Sequence, residues 1–462
     1  MRHSRRALVL GPVLAAAVGV AARLAGLPAP ACWTAAVTAL CAAWWVLEPI
    51  PIPATSIIPF AVFPLTGVLT HGDVATAYGH TLILLLLGGF MLSVGMEKSG
   101  AHRRIAFLML RLTGSRGRRR IVLGFMLATA VCSMWISNTA TTLMLLPVAA
   151  AVLEQDPEGK LEVPLLLGIA YAASIGGMGT PVGTPPNVIF LGIYLEQTGV
   201  EVGFLRWMMI GIPAVLVLLP AAWFLLTRSL PRGRPFDLPQ PGAWRSPERR
   251  ILVLFAITAL AWITRTAPFG GWSAWFSMPG AGDSTVALFM VVVLFLFPDG
   301  EGSRLLDWKT ANRIPWGLLI LFGGGIAIAR GFQESGLSAA LGEALSGLSG
   351  WAPVLLTFTV CLSVTFLTEV TSNTATTTLL MPILAAAGLA AGIDPAFLMI
   401  PAALSASCAF MLPVATAPNA IVFGTGRVAV HRMAREGLAL NLAGAVLLTT
   451  VCTLLLPLVF RR

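Results

Sequence analysis

The chain has 462 residues, 57% of them hydrophobic and only 11% charged, with a formal net charge of +10. Soluble domains carry roughly 25% charged residues, so a soluble globular fold is excluded. A β-barrel is excluded as well, because its segments of about 10 residues would alternate in polarity, whereas runs such as 203–226 and 438–460 are apolar throughout.

The first apolar run, 7–25, follows Met-Arg-His-Ser-Arg-Arg and has the outline of a signal peptide. The many spans after it make it a retained first helix. Further spans are predicted at 31–47, 54–70, 80–97, 163–199, 204–227, 251–267, 285–298, 316–330, 395–425 and 437–459. Two other stretches, 121–153 and 352–388, are long enough to enter a bilayer and return, and Ser-Asn-Thr interrupts each halfway. Read as re-entrant hairpins, they leave an all-α polytopic membrane protein of about 11 transmembrane helices.

With the N-terminus inside, the basic clusters Lys98–Arg120, Arg228–Arg250, Arg304–Arg313 and Arg427–Arg435 all fall on the cytoplasmic side. The opposite loops, 71–79, 200–203 and 268–284, are nearly free of Lys and Arg. Arg461-Arg462 is the exception. The positive charge therefore orients the chain in a membrane and is no nucleic-acid signature. Cys32, Cys41, Cys132, Cys361, Cys408 and Cys452 stand singly in apolar sequence, without the spacing of a metal site or a disulfide framework. The segments 98–117 and 331–349 are expected as interfacial arm helices, and Pro231–Pro247 as a cytoplasmic linker.

Three blocks recur in order. LLGGFMLSVGMEKSG (86–100) resembles LFGGGIAIARGFQESG (321–336), ISNTATTLMLLP (136–147) resembles TSNTATTTLLMP (371–382), and ASIGGMGTPVGTPPN (173–187) resembles ASCAFMLPVATAPN (406–419). The offsets of 236, 235 and 232 residues differ by little. Each half then holds an odd number of full spans plus one hairpin, so the second copy is inverted. Inverted repeats with interrupted helices are the construction of secondary transporters.

Ser, Asn and Thr are good N-caps, so each triplet can end one short helix and open the next. The new helix offers free N–H groups and the positive end of its dipole to an anion, while carbonyl and side-chain oxygens can hold a small hard cation. Gly183-Thr184-Pro185-Pro186-Asn187 and Ala415-Thr416-Ala417-Pro418-Asn419 break two further helices opposite the tips. One such triplet alone would serve equally as a polar contact between membrane helices. Glu369 is the conspicuous acid at depth, and its counterpart in the first half is Met134. An ionisable residue there is a functional candidate; proton carriage, electrostatic tuning and a carboxylate tied to neighbouring donors are all open.

The paired SNTAT motifs, the TEVTSN approach, the GTPPN/ATAPN pair and SASCAFMLPVATAPN resemble the divalent anion:sodium symporter family of sodium-coupled dicarboxylate and citrate carriers, over nearly the whole chain. The resemblance implies a homodimer in which a scaffold anchors an elevator-type transport domain. The corresponding division is an extra helix at 1–30, scaffold at 31–120, transport region at 121–230, linker at 231–250, scaffold at 251–350 and transport region at 351–462. It also implies one Na⁺ site at Ser133, Ser137, Asn138 and Gly183, and a second at Thr368, Thr371, Asn373 and Ala415. Substrate contacts map onto Asn138, Thr139, Thr184, Asn373, Thr374 and Thr416. The implied activity is import of C4-dicarboxylates by Na⁺ symport across the inner membrane. A Na⁺-independent exchanger, a sulfate or tricarboxylate carrier and, more distantly, an oxyanion or drug efflux pump are the alternatives. No Ser-His or metal constellation supports an enzyme.

Overall fold

The structure, a computed structural model, describes residues 2–114, 116–231, 235–238, 242–344, 347 and 350–460. Parts of the expected linker and second arm, the side chains of the N-terminal basic cluster and the Arg461-Arg462 pair lie outside the described residues. Those described form helices and no β-sheet. Among the described residues, seven helices are long and apolar enough to cross a membrane: Arg6–Leu24, Ala29–Leu47, His71–Ser99, Phe204–Thr227, Trp316–Glu334, Asn373–Ala390 and Val430–Val459. Shorter apolar helices make up much of the rest.

Several expected spans are interrupted, each where a side chain or backbone demands it. The span expected at 54–70 is split into Ile52–Thr55 and Ile58–Thr66, within which lie Pro53, Pro59 and Pro64. The run 163–199 divides into Glu162–Gly177 and Pro185–Thr198, and 395–425 into Ala396–Ala406 and Ala417–Phe423. The prolines at the start of each second piece need no N–H partner there.

Two helix starts also differ from expectation. The last helix begins at Val430, and the helix expected from 251 begins at Ser246, inside the segment read as linker. Hydropathy reads charged residues as loop, but Glu248 accepts from Arg245 N at 2.9 Å and from Arg104 Nε at 2.9 Å, closing that helix's first turn.

Both Ser-Asn-Thr stretches fold back on themselves. In the first, helix Arg118–Ser133 leads to the tip and Asn138–Leu153 leads away. Each limb is 16 residues, or about 24 Å, yet their outer ends meet. Buried Arg118 reaches Asp156 Oδ1 through Nη2 at 2.5 Å and Nε at 3.1 Å. In the second, Pro353–Leu367 and Asn373–Ala390 are joined at their outer ends by an apolar cluster of Leu356, Ala387 and Leu398.

The helix after the first hairpin, Glu162–Gly177, packs along the incoming limb, close enough that Gly176 lies on the backbone of Ala130 and Gly168 on Val122 and Met126. The arm helix Ala101–Thr113 lies against the incoming limb of the first hairpin, where Gly124 admits Leu110 and Thr113. The second arm, Leu337–Ala344, lies instead against the outgoing limb Asn373–Ala390, where Gly342 meets Ala390. The halves are thus similar without being identical.

At the end of the molecule away from Lys98, two arginines clasp the segment 196–204. Arg330 Nε contacts Glu196 Oε1 at 3.1 Å, and Gln197 Nε2 donates to Ala329 O at 2.7 Å. Arg265 contacts Glu201 and Asp283, both at 2.6 Å, while Asp283 Oδ2 accepts from Phe204 N at 3.0 Å.

Candidate functional site

The two tips and the two broken helices line one cavity of about 1340 Å³. From the first half come Ser137, Asn138, Thr139, Gly183 and Thr184. From the second come Thr371, Asn373, Thr374, Ala415 and Thr416. Every expected substrate contact is therefore on its wall. Ser133 and Thr368 are not: both are fully buried one layer behind the tips.

Four helices start on this wall, with Ser137, Ser372, Thr184 and Thr416 as their N-caps. Ser137 accepts from Ala140 N at 3.2 Å, and Thr416 from Asn419 N at 3.2 Å. The hydroxyls of Thr184 and Ser372 make no such cap. The helices beginning at Asn138 and Asn373 are long enough to carry an appreciable dipole, so the free N–H groups of their first turns give the cavity a positive floor without a basic side chain.

Behind each tip lies an oxygen cluster, nearly the same in the two halves. The Ser133 hydroxyl is directed at Asn138 Oδ1 (2.6 Å) and Ala173 O (2.7 Å). The Thr368 hydroxyl is directed at Asn373 Oδ1 (2.6 Å) and Ala406 O (3.1 Å). One proton is shared between two acceptors in each case, leaving three oxygens crowded together, an arrangement suited to a small hard cation. Gly183 completes the first wall: its Cα lies so close to Gly177 O that a methyl group there would overlap it. Thr371 contributes no free hydroxyl, since it donates to Leu367 O at 2.8 Å and lies 2.5 Å from Thr376 Oγ1. Only its carbonyl is left to act.

Glu369 is buried and fully engaged. Its Oε1 accepts from Phe410 N (2.7 Å), Met411 N (2.9 Å) and Asn441 Nδ2 (2.7 Å), and its Oε2 from Leu412 N (3.0 Å). It ties the unwound segment of the second half to its hairpin tip, the arrangement that the structural reading expects. In the first half the same connection is neutral: Thr180 Oγ1 donates to Met134 O at 2.5 Å.

Sequence reasoning placed Asn187 and Asn419 in the helix breaks but missed what they do there, and it missed two glycines beside them. Asn187 Nδ2 donates to Gly177 O (2.9 Å) and Thr180 O (2.7 Å); Asn419 Nδ2 donates to Ala409 O (3.0 Å) and Leu412 O (3.1 Å). Gly211 and Gly437 let Met178 O and Phe410 O press against the following long helices. The pairing of the two Asn residues was visible in GTPPN/ATAPN; the glycines gave no signal.

The cavity mouth is lined by Glu48, Glu97, Lys98, Asp307, Lys309 and Arg313. Lys98 Nζ sits 2.6 Å from Asp307 Oδ2, and this contact, with the Thr310 N–H, pulls the Asp307 carboxyl down to about 2.

Residues 7–460 match the family model described as the sodium:sulfate symporter transmembrane region. The chain is 39% identical over an alignment 477 residues long to the sodium-dependent dicarboxylate transporter SdcS of Staphylococcus aureus strain USA300, covering 98% of this chain and 91% of that one. The SdcS of strain MRSA252 matches to the same extent. Among solved structures, the YdaH transporter of Alcanivorax borkumensis aligns with a TM-score of 0.56 at 16% identity, over 85% of this chain and 87% of that one. MtrF of Neisseria gonorrhoeae, described with a class of antimetabolite efflux pumps, aligns with a TM-score of 0.58 at 14% identity, over 86% and 84%. At those identities the likeness speaks for the fold alone. With a family match over nearly its whole length and a cavity built from paired broken helices, the chain belongs to the sodium:sulfate symporter family, the divalent anion:sodium symporters, and is a membrane transporter rather than an enzyme.

Proposed function

We propose that this transporter imports a C4-dicarboxylate such as succinate, malate or fumarate by Na⁺ symport. The observation that carries the reading is the pair of matching oxygen clusters, Ser133–Asn138 and Thr368–Asn373, set behind two tips that share one cavity. The curated relatives named as sodium-dependent dicarboxylate transporters support it.

One Na⁺ occupies each cluster, held by Ser133, Ser137, Asn138 and the Gly183 carbonyl in the first half. In the second it is held by Thr368, the Thr371 carbonyl, Asn373 and the Ala415 carbonyl. The two cations and the helix N-termini then hold the dianion, one carboxylate near each tip, through Asn138, Thr139, Thr184, Asn373, Thr374 and Thr416. Full loading neutralises the site, so the hairpins and broken helices can slide as a body past an apolar scaffold. A half-loaded site would drag uncompensated charge into low dielectric at high cost.

In this reading the regions 121–230 and 351–462 move, the regions 31–120 and 251–350 form the scaffold of a homodimer, and the N-terminus is cytoplasmic in the inner membrane. The cavity mouth lies at the end that carries Lys98, Lys309 and Arg313, so the conformation is inward-open.

The test is uptake of labelled succinate into proteoliposomes. Replacing Na⁺ by K⁺ is expected to abolish it, and Asn138→Ala and Asn373→Ala each to do the same while expression and oligomeric state are kept. Uptake that ignores Na⁺ yet needs internal dicarboxylate would identify an exchanger instead. Competition by sulfate or citrate against labelled succinate ranks the anions.

A further inference from the structure

Asn187 and Asn419 occupy the same position in the two halves, three residues after the N-caps Thr184 and Thr416. Both are fully buried. Each partner of the side-chain nitrogen is a carbonyl oxygen, which fixes the orientation of the amide, because the reverse orientation would set oxygen against oxygen. Both N–H groups are thus spent on the unwound segment, and both Oδ1 atoms are left without a hydrogen-bond partner in the protein. A buried amide with a bare carbonyl is a costly way to fill space, so packing alone accounts poorly for finding it twice.

What the two amides hold is the same in each half. Thr180 O accepts from Asn187 Nδ2 at 2.7 Å and from Gly183 N at 3.3 Å. Leu412 O accepts from Asn419 Nδ2 at 3.1 Å and from Ala415 N at 3.2 Å. The amide therefore stands one hydrogen bond from the N–H of Gly183 or Ala415, and that residue's own backbone torsions away from its carbonyl. The other acceptor in the first half, Gly177 O, belongs to a residue whose Cα faces Asn138 Oδ1, such that a methyl group there would come within 3.0 Å of it. Asn187 in this way spans both walls of the first oxygen cluster.

We infer that Asn187 and Asn419 are the positioning residues of the two cation sites, each acting on its own half through Thr180 O or Leu412 O to aim the carbonyl of Gly183 or Ala415. The inference rests on the Na⁺ symport reading above. Without the amide, the unwound segment keeps its covalent connection but not the fixed direction of its carbonyls, and a cation feels direction steeply. Neither residue reaches the dianion, so the effect belongs to Na⁺ and not to the anion.

The experiment measures initial succinate uptake against Na⁺ concentration and against succinate concentration, together with the Na⁺-induced rise in melting temperature of the purified protein. Asn187→Ala and Asn419→Ala are each expected to raise the half-saturating Na⁺ at least about tenfold, the equivalent of one hydrogen bond's 1.4 kcal/mol. The succinate KM at saturating Na⁺ should stay within about twofold. If either Ala variant fails to fold, Asn187→Ser or Asn419→Ser, which retain one donor, should give a smaller shift in the same direction. A lowered melting temperature with unchanged half-saturating Na⁺ would overturn the inference and leave a purely structural role. Wild-type protein that answers to Na⁺ with variants that match it refutes this inference alone; wild-type protein indifferent to Na⁺ refutes the symport reading and the inference with it.

Discussion

Glu369 shows what a single side chain contributes here. A carboxylate at depth is a natural suspect for proton carriage, yet four donors surround it within 2.7–3.0 Å, three from consecutive backbone N–H groups. Glu369→Gln would set an amide N–H₂ against Leu412 N–H, donor against donor. We expect a loss of about 1–3 kcal/mol, seen as a lower melting temperature, and reduced uptake at every pH. A proton carrier would behave differently: the Gln variant would melt normally and lose only its pH dependence. At this scale much of the site could be read from the letters, because Ser133 and Thr368 stand at equal distances before Asn138 and Asn373, and the structure joins both pairs at 2.6 Å. What could not be read was which polar residue meets which backbone atom, since the partners of Glu369, Asn187 and Asn419 lie in segments with no regular geometry.

The elements were legible wherever polarity changed abruptly. The two Ser-Asn-Thr interruptions and the two Pro-Asn breaks fall where proline and N-cap chemistry put them. Legibility failed at charged helix ends, as at Ser246 and Val430, and in the proline-rich run 52–66, where three prolines divide an apolar stretch. One contact between elements invites a test. The segment 196–204 joins a broken helix to a long one, and Arg330 and Arg265 grip it at the end remote from the cavity mouth. If the hairpins and broken helices slide against the rest, these contacts must part. Arg265→Gln and Arg330→Gln are expected to favour the opposite-facing conformation. A cysteine introduced by Thr139→Cys should then react more slowly with an impermeant maleimide from the side to which the cavity now opens.

On the scale of the whole molecule, the repeat is what would let one cavity serve both sides of a membrane in the proposed symport, and small failures of symmetry show where the halves have diverged. Glu369 has no counterpart but Met134, and the two arm helices grip different limbs of their hairpins. The cavity mouth has a consequence of its own. Lys98, Lys309 and Arg313 are matched there in number by Glu48, Glu97 and Asp307, and the Asp307 carboxyl, held at about 2, keeps its share of that balance until the solution becomes strongly acidic. A vestibule whose charges cancel adds little long-range pull of its own on a dianion, so ions in the surrounding fluid have little there to screen. Efflux from this side at saturating Na⁺ should therefore change little as choline chloride is added, and a steep decline would reveal attraction by some other patch of the surface.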